Sequence, residues 1–121
     1  MEKLIEELQS IPSQVKELKL QIMGLNNIKH QTSERLNEIE MKHKDTINRE
    51  TTKDGKKLYS NDDARRTALA LFLKEDTEYT KLSSDNKKID SEIHTNLIEI
   101  NFLEDIQKNN RYILGYLSST Q

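Results

Sequence analysis

From Met1 the apolar residues recur in alternating steps of three and four. Met1, Leu4, Leu8, Ile11, Val15, Leu18, Ile22 and Leu25 lead into Lys29, Thr32, Leu36, Ile39, His43 and Thr46, and ten of these fourteen positions are apolar. That spacing places them on one stripe of a helix that packs against a partner helix. Pro12 falls inside the track; it has no N–H and crowds the carbonyl four residues back, so a kink or a fresh start is expected near Ile11–Ser13. A second track runs from Ala68 through Phe72, Glu75, Tyr79, Leu82, Asn86, Ile89, Ile93, Asn96, Ile100, Leu103, Gln107 and Asn110 to Leu114 and Leu117. Ser60 or Asn61 can cap its helix, and Asp62 and Asp63 suit the positive end of the helix dipole. The pattern predicts an all-α fold in one domain over residues 1–121. Helix 1 covers about 2–50 with a break near 12, a tight turn or short β-ribbon covers 51–60, and helix 2 covers about 61–118.

The two tracks fit each other as an antiparallel two-helix coiled-coil hairpin. When residues whose numbers add to 111 are paired, each a position meets a d position. Ile39 then faces Phe72, Ile22 faces Ile89, Leu18 faces Ile93, Ile11 faces Ile100 and Leu8 faces Leu103. Leu25 would face Asn86, Val15 would face Asn96, and His43 would face Ala68. A slip of one heptad is the competing register. The pairing centres on Asp54-Gly55, a dipeptide in which both residues tolerate positive φ and which therefore favours a tight turn. In this register residues 111–121 have no partner within the chain.

Composition narrows the picture. Hydrophobic residues are 33% of the chain and charged residues another 33%, whereas a globular domain is about 45–50% apolar. So polar a chain cannot fill a thick core, but a narrow seam needs only about two apolar positions in seven. There is no Cys, so disulfides and thiolate metal sites are excluded, in keeping with a reducing compartment. Residues 1–20 mix Glu, Lys and Gln into the apolar positions, which predicts no signal peptide. No run of 18 apolar residues exists, which predicts no membrane span. The wealth of Lys, Asn and Ile points to an AT-rich bacterial or phage genome, and so to the cytoplasm of a bacterial host.

Helix 2 carries a second apolar stripe beside its seam. Ile98, Phe102, Ile106 and Ile113, with Leu97, Tyr112 and Tyr116, form a surface that one partner helix cannot cover. Exposed apolar patches of this size mark interfaces, so Ile98, Phe102, Ile106, Tyr112, Ile113 and Tyr116 are expected to join subunits into a helical bundle. The turn is the other distinctive segment. Residues 42–67 hold eight Lys and Arg against five Asp and Glu, in a chain of net charge −2. Lys53, Lys56, Lys57, Tyr59, Asn61, Arg65 and Arg66 are the candidate contact residues for a protein partner or for phosphates. Equally, Arg65 and Arg66 can pair with Asp62, Glu50 or other nearby carboxylates, and Tyr59 can simply cover the end of the hairpin.

Catalytic constellations are missing. His30, His43 and His94 form no i, i+4 pair, no HExxH occurs, and there is no Gly-rich phosphate loop. His43 sits on the seam track, where a tolerated core position is the better reading than a ligand. The expectation is a protein without catalytic residues, metal or cofactor.

The run Asp54-Gly55-Lys56-Lys57-Leu58-Tyr59-Ser60-Asn61-Asp62-Asp63-Ala64-Arg65-Arg66, followed by Leu73 and Glu75-Asp76-Thr77-Glu78-Tyr79, resembles small coiled-coil proteins of bacteriophages and integrated elements. In those, a DGK turn leads through Tyr-Ser-Asn, two acids and an Arg into a long helix. The resemblance implies replication-associated or host-takeover roles, inhibition of host defence among them. The architecture is also similar to β-type prefoldin, which implies a holdase chaperone, although prefoldin hairpins are apolar and this turn is polar. Three functions are therefore carried forward: an oligomeric coiled-coil protein that binds another protein, a nucleic-acid-associated accessory protein using the basic tip, and a prefoldin-like holdase.

Overall fold

The computed structural model describes residues 2–119; the seam position Met1 and residues 120 and 121 lie outside them. Those described residues form three helices, α1 (Glu2–Arg49), α2 (Asp62–Glu75) and α3 (Thr77–Ser119). The chain separates into two compact units. Unit 1 joins the N-terminal stretch up to Asn27 with the residues from Ile89 onward, and unit 2 is Ile28–Lys88.

The heptad reading accounts for most of the burial. On α1, every track position from Leu4 to His43 is buried or half-buried, and on α3 every one from Tyr79 to Leu117 is. Ile11, Ile39, Ile100 and Leu103 are among the most deeply buried side chains. The frame fails at two places. Thr46 is exposed and Ile47 is buried in its stead; Glu75 is exposed and Asp76 is half-buried.

In each unit the partners run in opposite directions. In unit 1, Asn110 Nδ2 donates to Glu7 Oε2 at 2.9 Å, Gln107 Nε2 donates to the Leu8 carbonyl at 3.1 Å, and Asn96 Nδ2 donates to Gln21 Oε1 at 3.3 Å. In unit 2, Asn86 Nδ2 donates to Ser33 Oγ at 3.3 Å. Partner numbers for the three asparagines add to 117 or 119, so the register lies about one heptad beyond the expected 111. The reason lies in the polar layers. The 111 register sets Asn86 against Leu25 and Asn96 against Val15, leaving buried amides unpaired at about 1–3 kcal/mol each. The observed register gives each amide nitrogen an oxygen partner, while Asn86 Oδ1 stays buried without one. It also brings the end of α3 alongside the start of α1, and Leu114 and Leu117 are half-buried. Much of the expected overhang is thereby removed.

Pro12 does not interrupt α1, which continues through it. Proline at 12 deprives the Leu8 carbonyl of its usual i+4 donor, and it is to this carbonyl that the Gln107 amide donates. Gln107 is only 8% exposed. The carbonyl that proline deprives of its helical donor is thus served from α3.

Helix 2 of the sequence reading is in fact two helices. Asp76 leaves helical geometry at φ −76°, ψ 110°. Its Oδ1 accepts from Tyr79 N at 2.9 Å, which makes it the N-cap of α3. At the other end of α2, Asn61 Oδ1 accepts from Ala64 N at 2.8 Å, the expected cap. Between α1 and α2 the expected ribbon is reduced to a single antiparallel bridge, Thr51 with Lys57. Gly55 turns the chain at φ +80°, the left-handed region that a side chain disfavours.

Candidate functional site

In unit 2 the turn packs on α2 through Tyr59. Its ring meets Phe72 edge-on at 6.5 Å, and Phe72 in turn stacks tilted against His43 at 5.8 Å. Arg65 Nη1 donates to the Tyr59 carbonyl at 3.2 Å, and its other terminal nitrogen bonds Asp62. Tyr59, Asn61 and Arg65 are therefore held by contacts within the tip. Arg66 is exposed and reaches Asp63 only at 3.9 Å. Lys53, Lys56 and Lys57 are exposed as well. Of the seven tip residues proposed from the sequence, the three lysines and Arg66 present themselves outward. The other three build the turn that carries them.

Among the open hollows along α2, two border the tip. One, of about 410 Å³, is lined by Lys44, Asn48, Asp62, Arg65 and Arg66 around an apolar floor of Ile47 and Leu69. The other, of about 450 Å³, is lined chiefly by Tyr59, Ala64, Ala68, Leu71 and Phe72. Leu58 in the turn and Leu71 on α2 are half-exposed apolar residues. Among the described residues, no group of three or more His, Asp or Glu could hold a metal ion.

A linked set of charges at the α2–α3 junction was not read from the sequence. His43 Nε2 lies 2.7 Å from Asp76 Oδ2, and since a carboxylate only accepts, Nε2 carries the proton. His43 therefore faces the helix break rather than Ala68. Arg35 grips Glu78 with two bonds, Nε to Oε1 at 2.8 Å and Nη2 to Oε2 at 3.1 Å, and donates to Glu38 at 3.1 Å. These carboxylates raise the Arg35 pKa above its usual value, and Arg35 lowers that of Glu78. The Tyr79 N–H, then the His43 imidazole, hold the Asp76 carboxyl below the usual carboxylate range. The signal in the sequence was Asp76-Thr77-Glu78, a cap residue followed by an acid in the first turn. The unbroken heptad frame masked it.

A pH dependence follows. A carboxyl whose pKa is depressed by folding adds stability above its unfolded value, near 3.9, and loses it as pH falls through the folded value. Asp76→Asn keeps a capping oxygen but not the charge. The gap in melting temperature between wild type and this variant should be widest near neutrality and close as pH falls below about 4. Circular dichroism melts from pH 7 to 2 measure it, and a gap that stays constant would show that the Asp76 charge contributes nothing.

In unit 1, α3 turns its second stripe outward. Ile98 is 57%, Phe102 59%, Tyr112 74% and Tyr116 69% exposed; Leu97 and Ile113 are also exposed, and Ile106 is half-buried. Ile100, Leu103, Gln107 and Asn110 on the seam face are buried. All six residues proposed for an oligomer interface thus lie together on the free side of α3 or at its edge. No helix among the described residues is long and apolar enough to cross a membrane. No protein-family model, curated protein or solved structure matches the chain.

Proposed function

We propose that this chain is a non-enzymatic coiled-coil protein that assembles into a helical bundle and binds another protein. Its alternating three-four seam with paired amides supports an antiparallel coiled-coil packing of the helices. The observation that carries the assembly is the row Ile98, Phe102, Ile113 and Tyr116, exposed along one helix face. An apolar surface of this extent is a cost in water, and its covering by another chain is the physical reason for it to persist. The tip, with Lys53, Lys56, Lys57 and Arg66 outside a rigid Tyr59–Phe72 base, supplies the contact for the protein partner. The resemblance to phage coiled-coil proteins supports a role on a host replication or defence factor in a bacterial cytoplasm.

A nucleic-acid role is less well supported. Arg65 is engaged by Asp62 and the Tyr59 carbonyl, and Asp54, Asp62 and Asp63 stand among the remaining cations. The prefoldin-like reading lacks its assembly element, because a single bridge replaces the apolar hairpin.

Light scattering tests the assembly. The wild type should exceed its 14.2 kDa chain mass at high micromolar concentration. Ile98→Glu with Phe102→Glu should bring it to that mass and leave helical circular dichroism largely unchanged. A wild type that stays monomeric refutes the reading.

A further inference from the structure

We infer that the occupant of the α3 face is a second copy of this chain, lying antiparallel to the first about a two-fold axis near residue 107. This rests on the assembly reading above and adds the partner, the direction and the register.

Three observations carry it. The first is the order of the row. Ile98, Phe102, Ile106, Asn109, Ile113 and Tyr116 follow one another in steps of four, four, three, four and three along α3. Reversed about residue 107, the row falls on itself to within one residue: Ile98 meets Tyr116, Phe102 meets Tyr112 beside Ile113, and Ile106 comes one residue from Asn109. A surface that is its own complement on reversal is what a two-fold interface requires.

The second is area. Ile98, Phe102, Tyr112, Ile113 and Tyr116 are 57, 59, 74, 48 and 69% exposed. If a large apolar side chain offers roughly 200 Å², they leave on the order of 600 Å² uncovered in each copy. A specific interface needs about 600–1,000 Å² from each partner. The row, with polar residues at its rim, meets that requirement over a length of about 27 Å.

The third is charge. Asp105 and Lys108 are exposed on one flank of the row, on either side of residue 107. In the reversed pairing Asp105 of each copy comes within one residue of Lys108 of the other. Two opposite-charge pairs then close the rim.

The chain has no cysteine, so introduced thiols report contacts without background. Ile106→Cys lies beside the axis and should form a disulfide between two copies on mild oxidation. A chain carrying both Ile98→Cys and Tyr116→Cys should also cross-link between copies. Within one helix those two are about 27 Å apart and cannot bridge. Leu20→Cys, exposed on α1, should stay reduced. Independently, Asp105→Lys should weaken dimerisation at least several-fold, and adding Lys108→Asp should restore it. Circular dichroism confirms that each variant folds. If light scattering finds an oligomer but neither cysteine variant cross-links, the two-fold inference is overturned and the assembly reading survives. If the wild type is monomeric, both fall.

Discussion

Ile47→Ala should destabilise unit 2 by about 3 kcal/mol, within the usual 2–5 kcal/mol for deleting most of a buried isoleucine. Thr46→Ala, one residue earlier, should be neutral or slightly favourable. Ile47 is 2% exposed, the lowest among the buried core residues, and it floors the hollow beside Leu69. Thr46 is exposed and spends its hydroxyl on the Lys42 carbonyl at 3.1 Å. Urea unfolding monitored by circular dichroism measures both. The contrast is sharp because a strict heptad frame predicts the reverse: Thr46 in the seam and Ile47 beside it. Equal effects, or a larger one at Thr46, would mean that the seam keeps its frame to the end of α1.

The misplacement of the seam at Ile47 and at Asp76 has one physical origin. An unstrained α-helix has 3.6 residues per turn and drifts by about 20° per heptad against a 3.5-residue repeat. Over most of α1 and α3 the three-four alternation holds, so the seam from Leu4 to His43 and from Tyr79 to Leu117 could be read directly from the sequence. Near the turn the buried residues step by four twice, as Ile39, His43, Ile47 on α1 and Ala68, Phe72, Asp76 across α2. The apolar count there is low, and a template that demands alternation has little to correct it. The register failed for a related reason. Apolar layers match about as well at 111 as a heptad further on, and it is there that the amides of Asn86, Asn96 and Asn110 find their partners. Short polar contacts decide between seams of nearly equal apolar quality, and a hydrophobic pattern does not contain them.

The candidate surfaces divide in the same way. The α3 stripe was legible because it depends on helical spacing and on the lack of a second helix to cover it, both visible in sequence. At the tip, residue type identified the cations but not their use. The pairing of Arg65 with Asp62, three residues earlier, was open to reading from the sequence; its bond to the Tyr59 carbonyl, and the exposure of Lys56, come only with the fold. His43 and Asp76 lie 33 residues apart, and nothing local to either announces the other.

Pro12→Ala should stabilise unit 1 by about 2 kcal/mol, and in that background the effect of Gln107→Leu should change sign. Proline in a helix interior costs about 3 kcal/mol against alanine, and part of that is recovered because proline also stiffens the unfolded chain. In the wild type, Gln107→Leu removes the donor that serves the Leu8 carbonyl and leaves that oxygen unpaired in a part-buried site. The loss is reduced because the Gln107 Oε1, itself buried without a partner, is removed too. A net cost of about 1 kcal/mol is expected. With alanine at 12, the restored N–H bonds the Leu8 carbonyl along the helix. The amide of Gln107 then has no duty, and leucine at a buried seam position is the better residue, so the same substitution should be neutral or stabilising. The cycle of four proteins should give a coupling of about 1–2 kcal/mol, well above the few tenths found for independent sites. Additive effects would mean that the bond from Gln107 does not compensate the proline. In that case α1 passes through residue 12 for a reason other than the repair of its carbonyl.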